Sequence, residues 1–199
     1  KHRYLWVFKP LTHLSDEKKQ PAHYLVVPAG GTGLVLRGLR KEPATIGKWH
    51  LGWDLTYKEG KAKTVDNIDF TKRVANGPTD RGFDYFYGLT SPSGPPHLYM
   101  VNDMAEKQPN TRFEESGGGL YKIKGGIGHS DWSADGMQPH LADKMLEYLD
   151  ENKDSDKPFF LYMALTAPHI PLFPSKEFKG KSKIGDYGDL VMMIDDIVG

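Results

Sequence analysis

Apolar residues fall into a few short, dense runs separated by long polar stretches rich in glycine and proline. From Pro139 to Asn152, Leu141, Met145, Leu146 and Leu149 recur at helical spacing, with Asp143, Lys144, Glu147, Asp150 and Glu151 between them. That period predicts an amphipathic helix with a proline near its start. The run Phe159 to Leu165, bounded by Pro158 and Pro168, is short and nearly unbroken, the pattern of a strand buried on both faces of an α/β sheet. His169 follows directly, where such sheets place ligand-binding loops. Tyr187, Leu190, Val191, Ile194 and Val198 predict one face of a final helix, leaving Asp189, Asp195 and Asp196 on the other side in solvated or capping roles. Leu34, Val35, Leu36 and Leu39, with Arg37 and Arg40, predict a further short helix.

Between these elements, the stretch from Tyr57 to Pro78 carries Lys58, Glu59, Lys61, Lys63, Asp66 and Asp69 and few large apolar residues, which predicts a surface excursion. The run Ser91-Pro92-Ser93-Gly94-Pro95-Pro96 sustains neither helix nor inner strand. Glu114-Glu115-Ser116-Gly117-Gly118-Gly119 is likewise a loop.

Composition narrows the function classes. The chain has 26 Lys and Arg against 26 Asp and Glu, so no electrostatic field favours nucleic acid or an anionic membrane. No apolar run approaches the roughly 20 residues of a spanning helix. Lys1 to Pro10 is too short and wrongly flanked for a secretory signal. No cysteine is present, so disulfides are excluded and the compartment stays open. A chain of 199 residues suffices for one domain with a sizeable core.

The candidate chemistry sits in Gly47-Lys48-Trp49-His50-Leu51-Gly52. A lysine and a histidine two residues apart aim at one face of a strand. Together they suit an oxyanion, the lysine holding negative charge and the histidine holding or moving a proton. The same spacing also suits a half-buried strand with a solvated lysine and a structural histidine. Gly30-Gly31-Thr32-Gly33 lacks the lysine of a phosphate-binding loop and the spacing of a dinucleotide fingerprint, and Lys18 and Lys19 lie in a polar turn.

Four ordered stretches resemble the sulfatase family, of arylsulfatase type within the alkaline-phosphatase-like superfamily. They are the hexapeptide at 47–52, Arg81-Gly82-Phe83-Asp84-Tyr85-Phe86-Tyr87-Gly88, the run from Lys157 through Thr166-Ala167-Pro168-His169-Ile170-Pro171, and Gly185 to Gly199. The resemblance implies an α/β fold, a partial sulfatase-like sandwich with a mostly parallel central sheet and flanking helices. It implies an atypical segment at 1–35 and an incomplete catalytic domain at 36–199.

By the same resemblance the activity is hydrolysis of a sulfate monoester through a formylglycine nucleophile. Lys48 and His50 would contact that nucleophile, His169 would bind the sulfate and protonate the leaving oxygen, and Ser91 lies near a substrate-contacting serine. The Cys/Ser-x-Pro/Ala-x-Arg signature that yields formylglycine is absent from this sequence, as are the paired aspartates and the Asp-Asn pair that hold the family's Ca2+. The chain therefore reads as an internal or truncated portion, inactive by itself, with no metal ligands of its own. The implied ligand is a sulfated small molecule or sulfated glycan, and the implied location periplasmic, extracellular or lysosomal. The alternatives are a non-catalytic remnant that binds a sulfated ligand and a related phosphoesterase; the Trp within Gly-Lys-Trp-His and the Ala-Pro-His loop favour sulfatase. His2, His13, His23, His97, His129 and His140 lack metal-ligand spacing and read as structural or exposed.

Overall fold

The computed structural model describes residues 42–155 and 159–199. The atypical segment at 1–35 and the helix expected around Leu34–Arg40 lie outside the described residues. Five strands form one sheet: β1 (Glu42–Lys48), β2 (Tyr85–Leu89), β3 (Met100–Val101), β4 (Met104–Ala105) and β7 (Phe159–Ala164), in the order β4-β3-β2-β1-β7. β1 runs parallel to β2 on one side and to β7 on the other, and the antiparallel β3–β4 hairpin extends the sheet beyond β2. β5 (Thr111–Phe113) and β6 (Gly126–Gly128) form a separate antiparallel pair. Two α-helices follow, α1 (Met137–Asn152) and α2 (Asp186–Val198). This is the α/β architecture with a parallel sheet core and flanking helices.

α1 covers one face of the sheet. Leu141 and Met145 pack with Ala44, Ile46, Tyr87, Leu89 and Leu161 in the largest cluster. Tyr85 stacks on Tyr148 at 5.6 Å, while nearer the start of the helix His140 meets Tyr87. α1 therefore runs opposite to β2 and brings its N-terminus to the strands' carboxyl ends. The other face is covered by the stretch expected to be a polar surface excursion. Although much of 57–78 is exposed, Ile68, Phe70 and Val74 are buried there with Trp49, Phe83, Phe86 and Leu98. Three well-spaced apolar residues are enough to lay a charged loop across a sheet.

Two other expectations shift. In β7 only Leu161 and Ala164 are buried, the rest half-buried, because β7 is the outermost of the described strands. In α2 the buried residues are Gly188, Asp189, Leu190 and Met193, whereas Tyr187, Val191 and Val198, expected inside, are exposed. Asp189 is fully buried and accepts hydrogen bonds from the Gly180 and Ser182 N–H groups at 2.6 and 2.5 Å. Its role is capping of a neighbouring loop. Asp195 and Asp196 are exposed.

Candidate anion site at the carboxyl edge of the sheet

Parallel neighbours end together, and so do the loops they feed. Lys48 is the last residue of β1 and faces Leu89, the last residue of β2. Gly47 faces Ala164, the last residue of β7. Loops leaving this edge carry His50, Ser91 and His169, the arrangement by which parallel sheets gather ligand groups from separate strands.

Glycine is required where these strands close up. Gly47 has φ of +128°, and a Cβ built on it would lie 2.5 Å from the Ala164 carbonyl carbon. A Cβ on Gly88 would lie 2.7 Å from the carbonyl carbon of Gly47. Any side chain there pushes β1 off its neighbours. Trp49 then sets the direction of the residues around it. It is buried, donates its backbone N–H to Leu89 O at 2.9 Å and its indole N–H to Gly52 O at 3.0 Å, and meets Phe83 edge-on. With Trp49 anchored below the sheet, Lys48 is left half-buried and His50 exposed. The pair is held by the anchored tryptophan between them, His50 lying past the end of the strand.

The His169 loop is held from α1. Gln138 is almost fully buried, and its side-chain carbonyl accepts from the Ala167 N–H at 2.8 Å, the Thr166 N–H at 3.3 Å and the Thr166 hydroxyl. His169 donates its backbone N–H to Thr166 O at 3.2 Å. Its Nδ1 lies 2.5 Å from Ile170 O. A carbonyl only accepts, so Nδ1 carries the proton and Nε2 is the free ring nitrogen.

Electrostatics join the three basic groups. Burial lowers the Lys48 pKa. The His50 pKa is lowered first by burial and then by the positive charges of Lys48 and His169. His50 thus lies in the field of both Lys48 and His169, and among the described residues no ion pair engages any of the three. Converging cations without a counter-charge are the chemistry of an anion site. Ser91 stands on the same edge but spends its hydroxyl on its own turn, accepting from the Ser93 N–H at 3.4 Å. No hydrogen bond among the described residues joins it to Lys48, His50 or His169. Nor does any group of three His, Asp or Glu among the described residues suit a metal ion, so the described residues do not fit Ca2+.

A model of the sulfatase family matches residues 35–199. The chain belongs to the sulfatase family. Among its relatives, N-acetylgalactosamine-6-sulfatase of Sus scrofa is 30% identical over 169 residues, covering 83% of this chain and 27% of that protein. N-acetylgalactosamine-6-O-sulfatase of Bacteroides thetaiotaomicron is 26% identical over 186 residues, covering 77% of this chain and 35% of that protein. An arylsulfatase of Hemicentrotus pulcherrimus is 26% identical over 153 residues, covering 77% of this chain and 24% of its own length. The chain therefore spans about a quarter to a third of these relatives. In fold it is similar to a solved structure from work on metabolism of multiple glycosaminoglycans by Bacteroides thetaiotaomicron, with TM-score 0.62, 20% identity and coverage of 82% of this chain and 39% of the other. A sulfatase from Pseudoalteromonas gives TM-score 0.54 at 21% identity, covering 87% and 33%.

Of the remaining histidines, His97 is buried between Phe113 and Trp132 and donates Nε2–H to Lys124 O at 2.7 Å, a structural role. His140, read from the sequence as structural or exposed, is half-buried and joins a polar cluster with Tyr87 and Glu106. Neither helical period nor spacing signals that cluster, because its members come from β2, α1 and the segment after β4. His2, His13 and His23 lie outside the described residues.

Proposed function

We propose that the chain carries the anion-binding edge of a sulfuric ester hydrolase acting on a sulfated saccharide, within an incomplete catalytic domain at 36–199. What supports this is the common sheet edge to which β1 and β7 bring Lys48, His50 and His169, with His50 in the field of the other two and no ion pair to any of them among the described residues. Membership of the sulfatase family and the N-acetylgalactosamine-6-sulfatase relatives support the chemistry and the substrate class.

Lys48 opposes the charge on the nonbridging sulfate oxygens, an interaction strengthened by partial burial. His50, its pKa lowered, is neutral at pH 7 and accepts a proton from the attacking group. His169 presents Nε2 as its exchanging nitrogen, from which the leaving oxygen takes its proton. Formylglycine, where the enzyme has it, supplies the attack on sulfur, and its precursor is none of these residues. Ser91 is a contact to the ester beyond the sulfate in this proposal, once its turn opens.

The test is titration of the 199-residue chain with inorganic sulfate, followed by NMR of the histidine ring signals. Saturable shifts at His50 and His169, weakened about tenfold by Lys48→Ala, are expected. Shifts absent, or unchanged in Lys48→Ala, overturn the assignment.

A further inference from the structure

A polar cavity lies on the same edge of the sheet and includes none of Lys48, His50, Ser91 and His169. It has a volume of about 330 Å3 and is lined by Tyr99, Glu106, His129, Trp132, His140 and Lys144, among others. Its floor is built by the β3–β4 hairpin. Asn102, with φ of +54°, turns the chain so that the Glu106 N–H donates to Tyr99 O at 3.0 Å. This sets Glu106 beside Tyr99.

Hydrogen bonds fix the chemistry of this floor. Tyr87 O–H donates to Glu106 Oε2 at 2.8 Å, which leaves the phenol oxygen to accept from His140 Nε2–H at 2.7 Å. His140 is thereby held in the tautomer with Nε2 protonated and Nδ1 bare while the ring is neutral. Burial lowers its pKa, which keeps it so. Tyr99 stacks on Tyr87 at 5.6 Å and lies tilted against His140 at 4.3 Å, so its ring faces are used and its hydroxyl remains. The cations around the cavity are already paired, Lys107 with Asp131 and Lys144 with Glu147 at 2.8 Å. A cavity with fixed donors and acceptors whose cations are already paired selects hydroxyl groups over anions.

We infer that this cavity is a binding site for a neutral hexose ring, with Glu106 accepting from ring hydroxyls and Lys144 donating to them. The volume lies near the lower end of ligand pockets, about 300–1000 Å3, which suits one sugar or two. Position relates it to the anion site. Leu89 faces Lys48 across one strand spacing, and Tyr99 directly precedes Met100, which faces Gly88 across the next. At about 4.8 Å per spacing the two backbones stand about 10 Å apart, on the scale of neighbouring rings in a glycan. Resting on the proposed function, the sugar in this cavity is the unsulfated neighbour of the ring whose sulfate meets Lys48.

The experiment titrates the full chain separately with N-acetylgalactosamine and with inorganic sulfate, observing the His140 ring and Trp132 indole for the cavity and the His50 and His169 rings for the anion site. The sugar is expected to shift His140 and Trp132 saturably, and Glu106→Gln, at an exposed position, to weaken this about tenfold with the remaining spectrum unchanged. Lys144→Met, which removes the ammonium that lies 5.4 Å from the centroid of the Tyr87 ring, is expected to weaken it as well. A folded chain whose His140 and Trp132 signals ignore the sugar overturns the inference, as does equal sugar affinity in the wild type and both variants. Sulfate moving His140 as strongly as His50 also overturns it, since the cavity would then be an anion site. Sugar binding at His140 with no sulfate effect at His50 and His169 supports the cavity and defeats the anion site instead.

Discussion

Gln138 ties the loop bearing His169 to α1, and replacing it with methionine isolates that tie, because methionine nearly keeps the volume and removes the acceptor. The Ala167 N–H at 2.8 Å, the Thr166 N–H at 3.3 Å and the Thr166 hydroxyl then lose their partner. Gln138 and Thr166 are 2% and 4% exposed, so water does not readily replace it. An orphaned buried donor costs about 1–3 kcal/mol. With one close and one longer backbone contact, the loss comes to about 2–4 kcal/mol, a large part of the roughly 5–15 kcal/mol that holds a domain together. Equilibrium unfolding of the full chain in urea measures it. With m of about 1–3 kcal/mol/M, the midpoint should fall by about 1–2 M at unchanged m. Hydrogen exchange at the Ala167 amide should accelerate in step. A loss below about 0.5 kcal/mol, within the range of an ordinary surface substitution, would show that the loop stands without the clamp.

Gly88→Ala places a Cβ 2.7 Å from the Gly47 carbonyl carbon; separating β1 from β2 should cost about 3 kcal/mol and abolish the sulfate shifts at His50, both visible in one NMR titration. Asp189→Ala orphans the Gly180 and Ser182 N–H groups, for an expected loss of about 2–4 kcal/mol and faster proteolysis between Ser175 and Gly185. His97 and His140 have pKa values lowered by burial from the ordinary imidazole value of about 6.5, and His50 is lowered by burial together with its cationic neighbours. Below about pH 6.5 the unfolded chain binds protons at these groups that the folded chain refuses, so stability should fall with pH through that window and level off above it. Urea midpoints from pH 5 to 8 check the sign, and a midpoint that rises on acidification would contradict it.

Sequence pattern located α1 within two residues of its observed start and β7 within one of its end, because long amphipathic and short apolar periods report burial directly. It singled out Lys48, His50 and His169 as well, though from the likeness of ordered motifs more than from spacing. It missed what depends on partners. Pro43 lies near the start of a strand held between two neighbours, where its missing N–H is tolerated. In α2, pattern put Tyr187 and Val191 inside and Asp189 outside. The structure reverses them, since two backbone N–H groups of the 180–182 loop compensate the buried carboxylate.

The sequence by itself determined the family, the balance of charge and the chemistry available, a lysine and two histidines suited to an oxyanion. Only the tertiary structure decided that those groups share one field. Lys48 and His169 are 121 residues apart in the numbering, and they come to the same edge because β1 and β7 are parallel neighbours ending there. The Tyr87–Glu106–His140 cluster is likewise a product of strand order and helix direction. A local sequence period reports which side of an element faces the core. It carries no record of which elements lie side by side, and that adjacency sets where charges meet.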